Sequence, residues 1–189
     1  MKRRHSISLA VFASSSLVAG IVLAAQDKWA LKAPNGISFS EFRGYESWQM
    51  IGSSQPDDGS GCGTSPNPGC IKSIVGNPVL LKAYSAGIPD NGKAVPDGAA
   101  FAKIEWAKAR ETVPYAVTLP GKLAEVSFML KDSKRFPKTN GWGYATFQYD
   151  APSDTWKAKG DNADFVNACH GCHTIVKARD WVFTHYARR

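Results

Sequence analysis

The chain has 189 residues, with 23 Lys and Arg against 16 Asp and Glu, a formal net charge of +7 at pH 7 and 43% hydrophobic residues. That length suffices for one domain with its own buried core. The cations are scattered rather than run together, which argues for an ordinary solvated surface and against nucleic acid as a partner.

The N-terminus reads Lys2-Arg3-Arg4, then runs without charge from Ile7 to Ala25, closing in the small residues Ala24 and Ala25. Basic start, apolar middle and small-residue end are the order of a secretory signal peptide, here residues 1–25. The alternative is an uncleaved anchor, but Gly20 and Ser14-Ser15-Ser16 make a poor transmembrane helix. Cleavage removes Lys2, Arg3 and Arg4, lowers the charge from +7 to +4 and leaves residues 26–189 as one domain. The expected location is the periplasm, where disulfides and covalent cofactor attachment are both permitted.

Ser38-Phe39-Ser40-Glu41 has the form of a capping box, predicting a short helix with Phe42, Tyr45 and Trp48 at helical spacing that stops before Gly52. Residues 53–69 are almost all Gly, Ser, Pro, Asp and Asn, a loop without core-forming power. Cys62 and Cys70 close it. A bridge between them would contribute roughly 2–3 kcal/mol by loop-closure entropy. A redox-active pair is the other reading, but nothing electropositive sits beside either thiol in the sequence.

Asn77-Pro78 predicts a helix start, with Leu80, Leu81 and Tyr84 on the helix and Gly87 ending it. After a second turn-rich segment, residues 88–98, the period changes to two. Phe101, Lys103 and Glu105 point one way and Ala102, Ile104 and Trp106 the other, which is a strand with the second set able to form the core side. Residues 122–130 alternate again, with Leu123, Glu125, Ser127 and Met129 on one face and Ala124, Val126, Phe128 and Leu130 on the other. An aromatic-rich third strand is predicted from Trp142 to Tyr149. Asp161 is a candidate cap for a helix that follows, and Trp181-Val182-Phe183 is a short apolar segment. The expected fold is α+β, with strands in the middle and helices at either end.

That C-terminal helix would carry Cys169-His170-Gly171-Cys172-His173. Two cysteines two residues apart with a histidine directly after the second is the spacing for covalent c-type haem attachment, with Cys169 and Cys172 forming thioethers and His173 ligating the iron. A zinc half-site would need two more ligands at similar spacing, and a thioredoxin-like pair would need a βαβ pattern; neither is legible. One covalently bound haem c with its iron is the expected cofactor.

Several separated stretches are familiar together: residues 97–103 (Asp-Gly-Ala-Ala-Phe-Ala-Lys), 131–136 (Lys-Asp-Ser-Lys-Arg-Phe), 141–144 (Gly-Trp-Gly-Tyr), the Cys-His-Gly-Cys-His motif and 180–184 (Asp-Trp-Val-Phe-Thr). In that order they resemble the cytochrome P-460 family and the related cytochromes c′-beta, over the mature chain except the two loops. The resemblance implies one c-type haem held by a mostly antiparallel β domain, with the attachment histidine proximal and the distal face open to small nitrogen species. It also implies hydroxylamine oxidation in active members, with a strand lysine covalently joined to the porphyrin edge. The matching residue is Lys103, which on the residues alone would be a solvated strand lysine. Family members are often homodimers, though no interface signature is legible.

One departure concerns the distal base. Some hydroxylamine-oxidising relatives are similar here but carry a carboxylate where Ser127 falls; Glu125, on the same strand face, is the substitute proton acceptor and Glu105 a weaker one. The leading expectation is therefore an oxidoreductase passing electrons from hydroxylamine to a soluble c-type cytochrome. A nitric-oxide-binding protein with Phe101 and Phe128 as pocket walls is the alternative. A simple electron carrier would need a sixth ligand from Met50, Met129, His170 or His185, each with a duller explanation in the core, the motif or the tail.

Overall fold

The computed structural model describes residues 26–56, 69–162 and 164–187. The leader at 1–25 and Cys62 lie outside the described residues. Six strands form one antiparallel sheet in sequence order: β1 Gln49–Ser54, β2 Cys70–Gly76, β3 Ala100–Glu111, β4 Val117–Lys131, β5 Trp142–Asp150 and β6 Thr155–Ala158. Helix α1, Pro78–Ser85, joins β2 to β3, and α2, Asp164–His173, follows β6. This is the α+β class, with the helices flanking an antiparallel meander.

The period-two reading of β3 and β4 matches the pairing, and the aromatic-rich strand predicted from Trp142 to Tyr149 is β5. Val75, Ala102, Phe128 and Ala145 form one row across β2 to β5, with Ile104, Val126 and Phe147 in the next row on that face. Ile74, Lys103, Ser127 and Thr146 form a row on the opposite face, flanked by the row Phe101, Met129, Tyr144 and by the row Lys72, Glu105, Glu125, Gln148. Asn77 caps α1 as predicted, its side chain accepting from the Leu80 N–H at 3.0 Å.

The apolar face is closed by the N-terminal segment. Phe39 lies among Phe147, Trp29, Trp156 and Phe128 at centroid distances of 4.5, 5.3, 5.3 and 5.5 Å, and Phe42 stacks on Phe128 at 3.9 Å. The segment is not the single helix predicted there. It makes two 3-10 turns, Phe39–Phe42 and Tyr45–Ser47, because Gly44 in the left-handed region (φ 81°) separates them. Glu41 still accepts from the Ser38 N–H at 2.8 Å, as a capping box requires. The chain then enters β1 at Gln49, ahead of Gly52, before which the predicted helix was to stop.

The opposite face packs around Phe101, Trp142, Tyr144 and Val182, with α1 supplying Leu80 and Tyr84. Gly143, in the row of Leu130 on the apolar side, has no room for a side chain, since a Cβ there would fall on the Phe136 ring edge and on Ile37. Helix α2 begins at Asp164, three residues beyond the cap predicted at Asp161.

Candidate functional site

Between the polar face of the sheet, α2 and the C-terminal segment lies a cavity of about 650 Å³. The sheet contributes Lys72, Lys103, Glu125, Ser127 and Thr146; α2 contributes Cys169, Cys172 and His173; Phe101, Met129, Val182 and Phe183 supply apolar walls. Lys103 and Glu125, from two strands, thus share one cavity with the three motif residues about 45 to 70 positions away in sequence.

Helical spacing places Cys169 and Cys172 one turn apart on the same side of α2. Both are free thiols. Burial pushes the Cys169 thiol up, so it rests as the neutral thiol. His173 lies at the helix end with Nδ1 2.7 Å from the Trp181 carbonyl, to which its N–H donates. That bond assigns the tautomer and leaves Nε2 as the lone-pair nitrogen. Tyr144 and Phe183 flank the ring at 5.1 and 4.8 Å. Burial holds His173 below its usual value, and ligation requires the neutral imidazole.

The acceptor carbonyl is itself fixed. Asp180 and Trp181 have φ of 49° and 61°, the left-handed region that bulky residues avoid. The buried Lys131 Nζ donates to both Asp180 carboxylate oxygens at 3.0 and 2.9 Å, the Val95 N–H adds 2.8 Å, and Trp142 Nε1 donates to the Asp180 carbonyl at 2.8 Å. Three groups from elsewhere in the chain, through four hydrogen bonds, therefore hold a conformation the two residues would not choose alone.

The polar floor carries paired charges. Lys159 Nζ donates to Glu125 at 3.1 Å. Glu105, facing Glu125 in register, is fully buried behind the floor, and both its oxygens lack hydrogen-bond partners among the described residues. Lys103 and Lys72 approach one of those oxygens at 3.7 and 3.9 Å, close enough for charge attraction but too far for hydrogen bonds. Burial raises the Glu105 carboxyl, Lys103 opposes it and Glu125 adds to it; burial likewise lowers the Lys72 ammonium.

These residues fit a haem: two free thiols and one neutral imidazole with Nε2 unused, set on one wall of a cavity that also has a polar floor and apolar sides. Among the described residues, no three His, Cys, Asp or Glu side chains gather as a metal-holding group, so the zinc half-site lacks further ligands there. Cys70 is disulfide-bonded.

Other expectations change. Phe101 and Phe128 both border the cavity, but the Phe128 ring belongs to the closed face, stacked on Phe42, so of the two it is Phe101 whose ring walls the cavity. Of the four candidate sixth ligands, Met129 lines the cavity; Met50 lies on β1, His185 is exposed beside Asp90, and His170 stacks on Trp181 at 5.6 Å. Sequence reasoning missed Lys72, Tyr144, Thr146 and Lys159. No local signal marks Lys72, because β2 carries no alternation of its own.

A family model described as Cytochrome P460 matches residues 42–184, about three quarters of the chain. Among curated proteins nothing matches.

Proposed function

The chain belongs to the Cytochrome P460 family, a family of haem-iron cytochromes, and on that premise we propose that it carries one c-type haem and oxidises hydroxylamine. Cys169 and Cys172 would hold the haem through thioethers and His173 would ligate the iron through Nε2. When bound, the haem supplies an open iron position for a small nitrogen ligand and a route for its electrons. Oxidation of hydroxylamine must shed protons as electrons leave, or charge accumulates. Glu125 takes them: its carboxylate lines the cavity and is oriented by Lys159. Lys103 lines the same cavity and is the residue that would join the porphyrin edge. Its attachment would remove a cation from a partly buried site, where an ammonium is costly to desolvate.

The remaining parts of the reading concern context. Residues 1–25 direct export to the periplasm and residues 26–189 are the mature domain. Cys62 is the partner of Cys70 and takes no part in chemistry. A soluble c-type cytochrome accepts the electrons, and the working form is a homodimer.

The observation that supports this reading is the gathering of Lys103, Glu125, Cys169, Cys172 and His173 around one cavity. The apolar walls Phe101 and Met129 favour a second reading, capture of nitric oxide without turnover. Mass spectrometry of a digest separates them. The peptide containing Lys103 should travel with the one containing Cys169, and Lys103→Ala should shift the Soret band to the blue and abolish hydroxylamine oxidation while haem stays bound. Clean separation of the two peptides from untreated protein would replace oxidation with nitric-oxide binding.

A further inference from the structure

Glu105 has no role in that scheme, yet it is the most unusual side chain in the sheet. It is fully buried, and neither of its oxygens is hydrogen-bonded among the described residues. A carboxylate in such a place is expensive unless something uses it. It does not line the cavity, but it stands directly opposite Glu125, which does. Cross-strand partners on one face have Cβ atoms about 4.5–5.5 Å apart.

We propose that Glu105 is the proton-accepting partner behind Glu125, an inference that rests on an open haem site with Glu125 as its base. A ligand bound in the cavity gives its proton to the Glu125 carboxylate. The new O–H bond of Glu125 then breaks as one forms on Glu105, and Glu125 is again a carboxylate facing the ligand. No electron moves in this transfer. Of the charged groups facing Glu105, Lys72 from β2, Lys103 from β3 and Lys159 after β6 favour its ionised form, while Glu125 from β4, itself paired to Lys159, repels it; joining Lys103 to the porphyrin takes one of those cations away and leaves Glu105 readier to accept a proton. A proton arriving at Glu105 relieves both its desolvation and the repulsion between the two carboxylates. Full burial shields Glu105 from direct exchange with solvent, so the proton is held there while the ligand is bound.

Hydrogen cyanide is the probe. It reaches an open ferric haem as the neutral acid and binds as the anion, so each binding event frees one proton without any turnover. With the haem-loaded wild type at neutral pH, a pH indicator should register little proton release. Glu105→Gln should bind cyanide and release about one proton per haem, as should Glu125→Gln. Since Glu105→Gln leaves two lysines facing an amide and could unfold the strand pair, the infrared difference spectrum of the wild type is the second measurement. A carboxylic-acid carbonyl band should appear on cyanide binding. Equal proton release from wild type and Glu105→Gln, or no such band, would overturn the inference while leaving the open site intact. Failure of cyanide to bind at all would overturn the open-site reading and this inference with it.

Discussion

The two faces of the central sheet come from the same strands and differ in almost every other respect. On one, Ala102, Val126, Phe128, Ala145 and Phe147 meet Phe39 and Phe42 in an apolar core. On the other, one residue along each strand, Lys103, Glu105, Glu125, Ser127 and Thr146 line or underlie a cavity. The closed face gains from apolar burial and close aromatic packing. The open face contains buried charges, which oppose folding. A single alternation of residue types thus divides stabilisation from chemistry, and each change of one residue along β4 crosses between them.

Adjacent residues test this division most strongly. Phe128→Ala should cost about 3–5 kcal/mol, because it removes a ring stacked on Phe42 at 3.9 Å and tilted against Tyr45, Phe39 and Phe147. Its neighbour Ser127→Ala should cost about 1 kcal/mol, the loss of one hydrogen bond from Thr146 at 3.0 Å. Urea denaturation of the two variants measures both. Comparable costs would mean that the open face contributes to stability as the closed one does.

The next effect lies where the open face meets its proximal wall. Asp180→Asn breaks the buried ion pair with Lys131 and should cost about 3 kcal/mol, leaving Lys131 with an uncompensated buried charge. It also loosens the strained pair of residues that offers the Trp181 carbonyl to His173. The haem-loaded variant should therefore show a weakened iron–histidine stretch by resonance Raman. A variant that loses stability with that stretch unchanged would place Asp180 with the closed face, as packing alone.

What could be read in advance followed whether the information was local. The alternation in β3 and β4 was legible because one face of each strand is apolar enough to stand out, and β5 showed through its aromatic content. Strand β2 was not: Ile71, Ile74 and Val75 do not alternate, and they sit between a Gly-rich loop and the Asn77 cap. Strand β6 has four residues, too few for a period. In the site, Cys169, Cys172 and His173 announce themselves by spacing within five residues, and Lys103 was reached through the family resemblance. Lys72 and Lys159 become site residues only because register sets β2 against β3 and the chain after β6 returns past Glu125, which no local pattern encodes.

A smaller effect distinguishes the faces by pH. Burial raises the Glu105 carboxyl above its ordinary value of 4.5, Lys103 offsetting part of this and Glu125 adding to it. The folded protein therefore retains a proton at pH values where the unfolded chain has lost it. The associated stability is fully present below 4.5 and is lost as the pH rises through the folded value. Wild-type stability relative to Glu105→Gln should accordingly decline from acid toward neutral pH. A flat difference would mean that the neighbouring lysines fully compensate the buried charge.

The smallest effect has the opposite sign and sits on the segment that closes the apolar face. Glu41 accepts from Arg135 at 2.6 and 3.2 Å and from the Ser38 N–H. Its burial would raise the carboxyl, but the Arg135 hydrogen bond, the Ser38 bond and the Arg135 charge together bring it below 4.5. Here the unfolded chain is the one that binds a proton first on acidification. The contribution is present above 4.5 and is lost as the pH falls through the folded value. Because both partners are partly exposed, Glu41→Gln should cost no more than about 1 kcal/mol at neutral pH. Measured by urea denaturation across the same pH series as Glu105→Gln, the two difference curves should slope in opposite directions. Parallel slopes would show that the surrounding charge, and not the local contacts of each glutamate, governs both, and would remove the electrostatic basis for treating the two faces as separate.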